Sequence, residues 1–153
     1  MYSDSLSVFN ITSTTFEANS ASQQGGAIYE NQMNGDSLYI ETSLFNSNFG
    51  SNQFSVGGAV YAEGNNSLFI SESTLKKNYA DSIAGAVFAN NNQLMVSNSS
   101  LDTNTTRQGG AVFALSTETK LNGSSFSGNE ADQGGALFVH SFEDLSLTES
   151  LFN

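Results

Sequence analysis

The carboxylates are the residues with which this chain could do chemistry. Cleaving a glycosidic bond takes two acids flanking it, about 5 to 10 Å apart. The chain carries 15 Asp and Glu against 4 Lys and Arg, for a formal net charge of −11. Glu17, Glu30, Glu63 and Asp102 are available for such a pair, and His140 is the single histidine. Loop acids such as Glu143 and Asp144 could hold Ca²⁺ through their oxygens. Whether any of these groups meet depends on the elements that carry them.

Those elements repeat. Gly-Gly-Ala followed by an aliphatic and an aromatic residue occurs at Gly25-Gly26-Ala27-Ile28-Tyr29 and Gly57-Gly58-Ala59-Val60-Tyr61. It recurs at Ala84-Gly85-Ala86-Val87-Phe88, where Ala replaces the first Gly, at Gly109-Gly110-Ala111-Val112-Phe113 and at Gly134-Gly135-Ala136-Leu137-Phe138. The shared alanines are 32, 27, 25 and 25 residues apart. A second motif, an aromatic or Leu followed three residues later by Asn, interleaves with the first. Its pairs are Phe16 and Asn19, Phe45 and Asn48, Leu75 and Asn78, Leu101 and Asn104, and Phe126 and Asn129; a sixth begins at Phe152. Alternating apolar pairs precede it: Phe9 and Ile11, Leu38 and Ile40, Leu68 and Ile70, Leu94 and Val96, Leu145 and Leu147, with a weaker Thr119 and Leu121.

A period of this length predicts a solenoid, in which each repeat packs on its neighbours. Within a unit the apolar period is two, and Gly, Ser, Asn and Thr fill the gaps, as in short strands bounded by turns. The reading is an all-β parallel β-helix of five to six coils, three short strands per coil. It occupies residues 1–153 as one domain and forms a rod roughly 26 Å long at ~4.8 Å per coil. The absence of Pro agrees with stacked strands. The Phe/Leu column should stack inside. Asn should tie the turn through its side chain, tolerate left-handed geometry and bond to its copies from coil to coil. The paired glycines should supply a positive-φ bend or a close backbone approach, and Ala a crowded inward site. Of the two apolar residues after Ala, a regular strand can turn only one inward; either the chain bends there or an apolar column faces out.

Aligning the coils disperses the acids. Glu30 shares a column with Ala62, Ala89, Ala114 and Val139, and Glu63 with Asn31, Asn90, Leu115 and His140. Glu17 and Asp102 share a column three coils apart, roughly 14 Å, beyond the carboxylate separations of glycosidases. The expectation is solvated surface acids, an exposed His140, no catalytic residues, no metal and no cofactor. A polysaccharide-binding or polysaccharide-degrading β-helix is the alternative, and two acids within ~6 Å in a groove would favour it.

The two interleaved motifs together resemble the repeat of the chlamydial polymorphic outer membrane proteins, which are autotransporter adhesins; similar repeats occur in surface proteins of protists. The resemblance implies a right-handed β-helical passenger at the cell surface, with a host receptor or glycan as partner. The negative charge disfavours nucleic acid and anionic membrane, and no apolar run reaches the ~20 residues of a spanning helix. The chain stops within a sixth F-x-x-N, which predicts a segment of a longer solenoid or a unit that stacks end to end into filaments. Variable loops at 31–36 and 49–56 are the expected contact sites. Of the N-x-S/T sequons at Asn10, Asn65, Asn98, Asn104 and Asn122, Asn65 suits a glycan best. Asn104 suits it least, because the turn needs its side chain.

Overall fold

The computed structural model describes residues 2–3, 8–32, 37–64, 67–116, 118–140 and 143–153. Three six-stranded parallel sheets run its length, and no helix occurs among the described residues. Each coil visits the sheets in the same order, so the chain is a parallel β-solenoid. The GGA sheet stacks Tyr2–Ser3, Ile28–Gln32, Val60–Gly64, Val87–Asn90, Val112–Ala114 and Leu137–Val139. The alternating-pair sheet stacks Val8–Thr12, Ser37–Glu41, Ser67–Ser71, Gln93–Ser97, Glu118–Asn122 and Asp144–Thr148. The F-x-x-N sheet stacks Thr15–Glu17, Leu44–Asn46, Thr74–Lys76, Ser100–Asp102, Ser125–Ser127 and Leu151–Phe152.

Register follows the repeat residue by residue. Leu38 pairs with Phe9 and Leu68, and Ile40 with Ile11 and Ile70. These side chains are buried, while Tyr39 between them points outward, the period-two pattern of a strand with one face on the core. Phe45 pairs with Phe16 and Leu75 and is fully buried, as are Leu101 and Phe126. The Phe16 and Phe45 rings stack at 4.7 Å, as do those of Phe126 and Phe152.

In the second, third and fourth copies both apolar residues after GGA are buried, because the solenoid has two cores. The aliphatic ones, Ile28, Val60, Val87 and Val112, join the main core with Ala27, Ala59, Ala86 and Ala111. The aromatic ones form a second cluster, in which Tyr61, Phe88 and Phe113 pack with Ala84, Val56, Ile83 and Leu115. The chain leading into GGA thus folds over an aromatic column that would otherwise face water. Its rings stack from Tyr29 through Tyr61, Phe88 and Phe113 to Phe138, at 4.7 to 5.8 Å between centroids.

The paired glycines divide the two expected tasks. Gly57 has φ +67°, and a Cβ there would lie 2.4 Å from its own strand's Val60 carbonyl oxygen. Gly58 takes the close approach: a Cβ on it would lie 2.1 Å from the Gly85 oxygen of the next coil. Ala84 replaces the first glycine and still adopts φ 59°. The Asn expectation needs one correction. The left-handed residue is the one before each Asn: Ala18, Ser47, Lys77 and Thr103, at φ 53 to 56°, and Gly128 at φ 59°. The Asn side chain is committed to the neighbouring coils, so its predecessor makes the turn.

Candidate functional site

Glu17 and Asp102 do not converge. Asn46 and Lys76 occupy the two rungs between Glu17 and Asp102. Glu17 accepts a bond from the Asn46 amide at 2.7 Å, and Asp102 one from the Ser100 hydroxyl at 2.7 Å. Glu63 accepts from the Tyr61 phenol at 2.5 Å and the Asn90 amide at 3.1 Å. Burial, then that bond to Glu63, pushes the Tyr61 phenol far above its ordinary range. Half-buried Glu118 bonds Lys120 and Gln93, which hold its carboxyl below the usual range, and it raises the Lys120 ammonium in turn. Asp144 lies in register with Glu118. His140 is exposed just after Leu137–Val139. One acid departs from the solvated expectation: Glu30 is fully buried, because its position is the inward column that Ala62, Ala89 and Ala114 occupy in later coils. Among the described residues no three His, Asp or Glu side chains are grouped to hold a metal.

Two side-chain ladders run through the polar interior. The Asn48 Oδ1 accepts both the backbone amide and the side-chain amide of Asn19, at 3.1 and 2.9 Å. Its Nδ2 donates back to the Phe16 carbonyl and onward to Asn78 Oδ1, each at 3.0 Å. The pattern continues through Asn78, Asn104 and Asn129. Asn48, Asn78 and Asn104 are buried, and each such group needs a partner there. A second ladder escaped the sequence reading. The hydroxyls of Ser43, Ser73, Ser99, Ser124 and Ser150 each accept the equivalent amide of the preceding coil, beginning with Thr14. Each also donates to the carbonyl two residues back. Its signal was present, a Ser or Thr two residues before every Phe or Leu of the F-x-x-N column.

The corner between F-x-x-N and GGA differs from coil to coil. Phe49 and Tyr79 are register neighbours, 41 % and 42 % exposed. The three-residue insertion of the second coil places Phe54 at its tip, 72 % exposed. That loop is clamped. The Asn52 Oδ1 accepts the Phe54 amide at 2.8 Å, and buried Ser55 offers its hydroxyl to the Asp81 amide at 2.8 Å and its carbonyl to the Ser82 amide at 3.1 Å. The Tyr79 phenol donates to Asp81 at 3.1 Å, and Arg107 from the next coil holds the other Asp81 oxygen at 2.7 Å. Burial and the Asp81 bond raise the Tyr79 phenol above its ordinary range. Ser82, Arg107, Gln108, Asp132 and Gln133 line an open groove farther along the rod.

Residues 13–29 and 123–140 match the Chlamydia polymorphic membrane protein repeat. Those two stretches are similar to that family's repeat. No curated protein and no solved structure matches it. Each matched stretch runs from a left-handed residue, Ser13 or Gly123, through F-x-x-N and an uninterrupted corner to GGA. The coils between them keep the register but depart in sequence. The second has the insertion at 49–56; the third has Leu75 and Ala84, and the fourth Leu101. Of the sequons, Asn104 is locked in the ladder, Asn10 and Asn122 are exposed, and Asn65 lies outside the described residues, as does most of the 31–36 loop.

Proposed function

We propose that this chain is a non-enzymatic, extracellular surface segment, a β-helical adhesin passenger or stalk that holds corner loops toward a partner. One observation carries the reading: the repeated residues are spent on stacking coil to coil, whereas the 49–56 and 79–82 corner is clamped by hydrogen bonds and exposes its aromatic side chains. The repeat type, that of a bacterial membrane protein family, supports a cell-surface location. Partners under this reading are further coils, from the same chain or from another copy stacked end to end, and a receptor or glycan on an opposing surface. Rigid aromatic anchors surrounded by polar groups are how protein contact surfaces concentrate affinity.

Beads coated with the folded chain test this on cultured epithelial cells. Binding should saturate, compete with free chain and vanish after heat unfolding. Incubation with polysaccharides should release no reducing ends. Release that disappears on Glu63→Gln or Asp132→Asn would replace the reading with a glycan-cleaving enzyme.

A further inference from the structure

The corner presents more than an anchor. Phe49, Phe54 and Tyr79 expose aromatic surface on the second and third coils, and Ser82, Arg107, Gln108, Asp132 and Gln133 line a groove over the third to fifth, with Asp81 bonding both Tyr79 and Arg107 between them. The groove side chains also bridge coils, Arg107 to Asp81 and Gln108 to Gln133, yet Arg107, Asp132 and Gln133 stay exposed. We propose that this strip, from Phe54 to Gln133, binds a neutral oligosaccharide chain; the inference rests on the adhesive reading above and names its ligand class.

Chemistry selects the ligand. The exposed aromatic side chains are apolar surfaces, whose electron-rich faces suit the C–H groups of a sugar ring. The groove supplies a carboxylate that only accepts, a guanidinium that only donates, and two amides that do both. That mixture fits hydroxyls, which also do both. The groups are set before a ligand arrives. Asp81 fixes the Tyr79 hydroxyl and Arg107, and Gln108 donates to Gln133 at 3.0 Å. Such preorganisation lowers the entropic cost of binding.

Charge and backbone exclude the main competitors. A sulfated or sialylated chain would meet Asp81, Glu130 and Asp132 with one arginine, already paired, in a chain of net charge −11. A peptide that binds by adding a strand needs free backbone groups. Here the backbone is used between coils: Thr105 donates to Asn78, Glu130 to Asn104 and Gln133 to Arg107. The strip spans four coils, roughly 14 Å at the stacking distance, and suits a linear chain rather than a single sugar.

Titration of the ¹⁵N-labelled protein with cellohexaose, maltohexaose and chitohexaose tests the site, with a heparin hexasaccharide as the anionic control. At least one neutral chain should shift the amides of residues 79–82, 105–108 and 130–133, and heparin should not. Tyr79→Ala and Gln133→Ala should each weaken binding by about 10-fold, the loss expected for a contact worth 1.4 kcal/mol. Lys120→Ala, on another sheet, should leave it unchanged. The amide spectrum reports whether each variant is folded. No shift with any neutral chain at millimolar concentration, or shifts that Tyr79→Ala and Gln133→Ala leave intact, would overturn the inference. Cell binding that persists while every sugar fails would discard the oligosaccharide and keep the adhesive reading. Loss of both would discard both.

Discussion

The interior of the solenoid and its corner obey opposite rules. Inside, each coil repeats its neighbour: Leu68 on Leu94, Phe45 on Leu75, Asn78 on Asn104, Ser73 on Ser99. At the corner, the column that begins at Ser20 holds Phe49, then Tyr79, Thr105 and Glu130. A position that must match the coils above and below cannot vary alone, whereas one that faces water can. Repetition therefore marks what stacks, and departure from it marks what the molecule shows to others.

The sharpest test of the interior is Phe45→Ala. The ring is fully buried and stacked on Phe16, so its loss should cost about 3–5 kcal/mol through lost burial and a cavity. Urea unfolding of the variant checks this; an unchanged midpoint would mean the column is not a core. Gly58→Ala should cost about 3 kcal/mol or slightly less in the same assay, since the new methyl meets the Gly85 carbonyl, backbone that cannot step aside. Asn78→Ala strips the acceptor from the buried Asn48 amide and the donor from the Phe45 carbonyl. It should cost about 1–3 kcal/mol. Asn129, less buried than Asn78, should cost less when replaced, and equal losses would argue against a buried ladder.

The smallest interior effect is one of pH. The Tyr61 phenol is held protonated in the folded chain by burial and by Glu63. A raised folded value favours the protonated form, so this stabilisation is complete below the unfolded tyrosine pKa of about 10 and is lost as pH rises beyond it. Melts between pH 8 and 11 should show a smaller alkaline decline in Tyr61→Phe than in the parent. Parallel declines would place the titrating group elsewhere.

The coil order, the three strands and their register were legible because spacing alone carries them: Ala59 to Ala86 and Phe45 to Leu75 are both visible alignments and observed neighbours. The second core was not legible. Whether Tyr61 faces water depends on where Val56 and Ile83 lie after a corner of variable length. The left-handed residues were missed because Ala18, Ser47, Lys77 and Thr103 share no chemistry; the constraint on them comes from the following Asn. Glu30 was misjudged because residue type suggested water while its column pointed inward. At the corner, the sequence marked the 49–56 insertion, but the clamp from Ser55 to Asp81 joins residues 26 apart and needed the fold.

The most direct measurement pairs stability with adhesion in one variant, the triple substitution Phe49→Ser, Phe54→Ser and Tyr79→Ser. The exposed corner should contribute little to stacking, so the Tm should stay within a few degrees of the parent, as for surface changes of about 0.5 kcal/mol each. Binding of the coated beads to cells should be lost. A variant that melts far below the parent yet still binds cells would contradict the account, since the corner would then be part of the core and the adhesive surface would lie elsewhere.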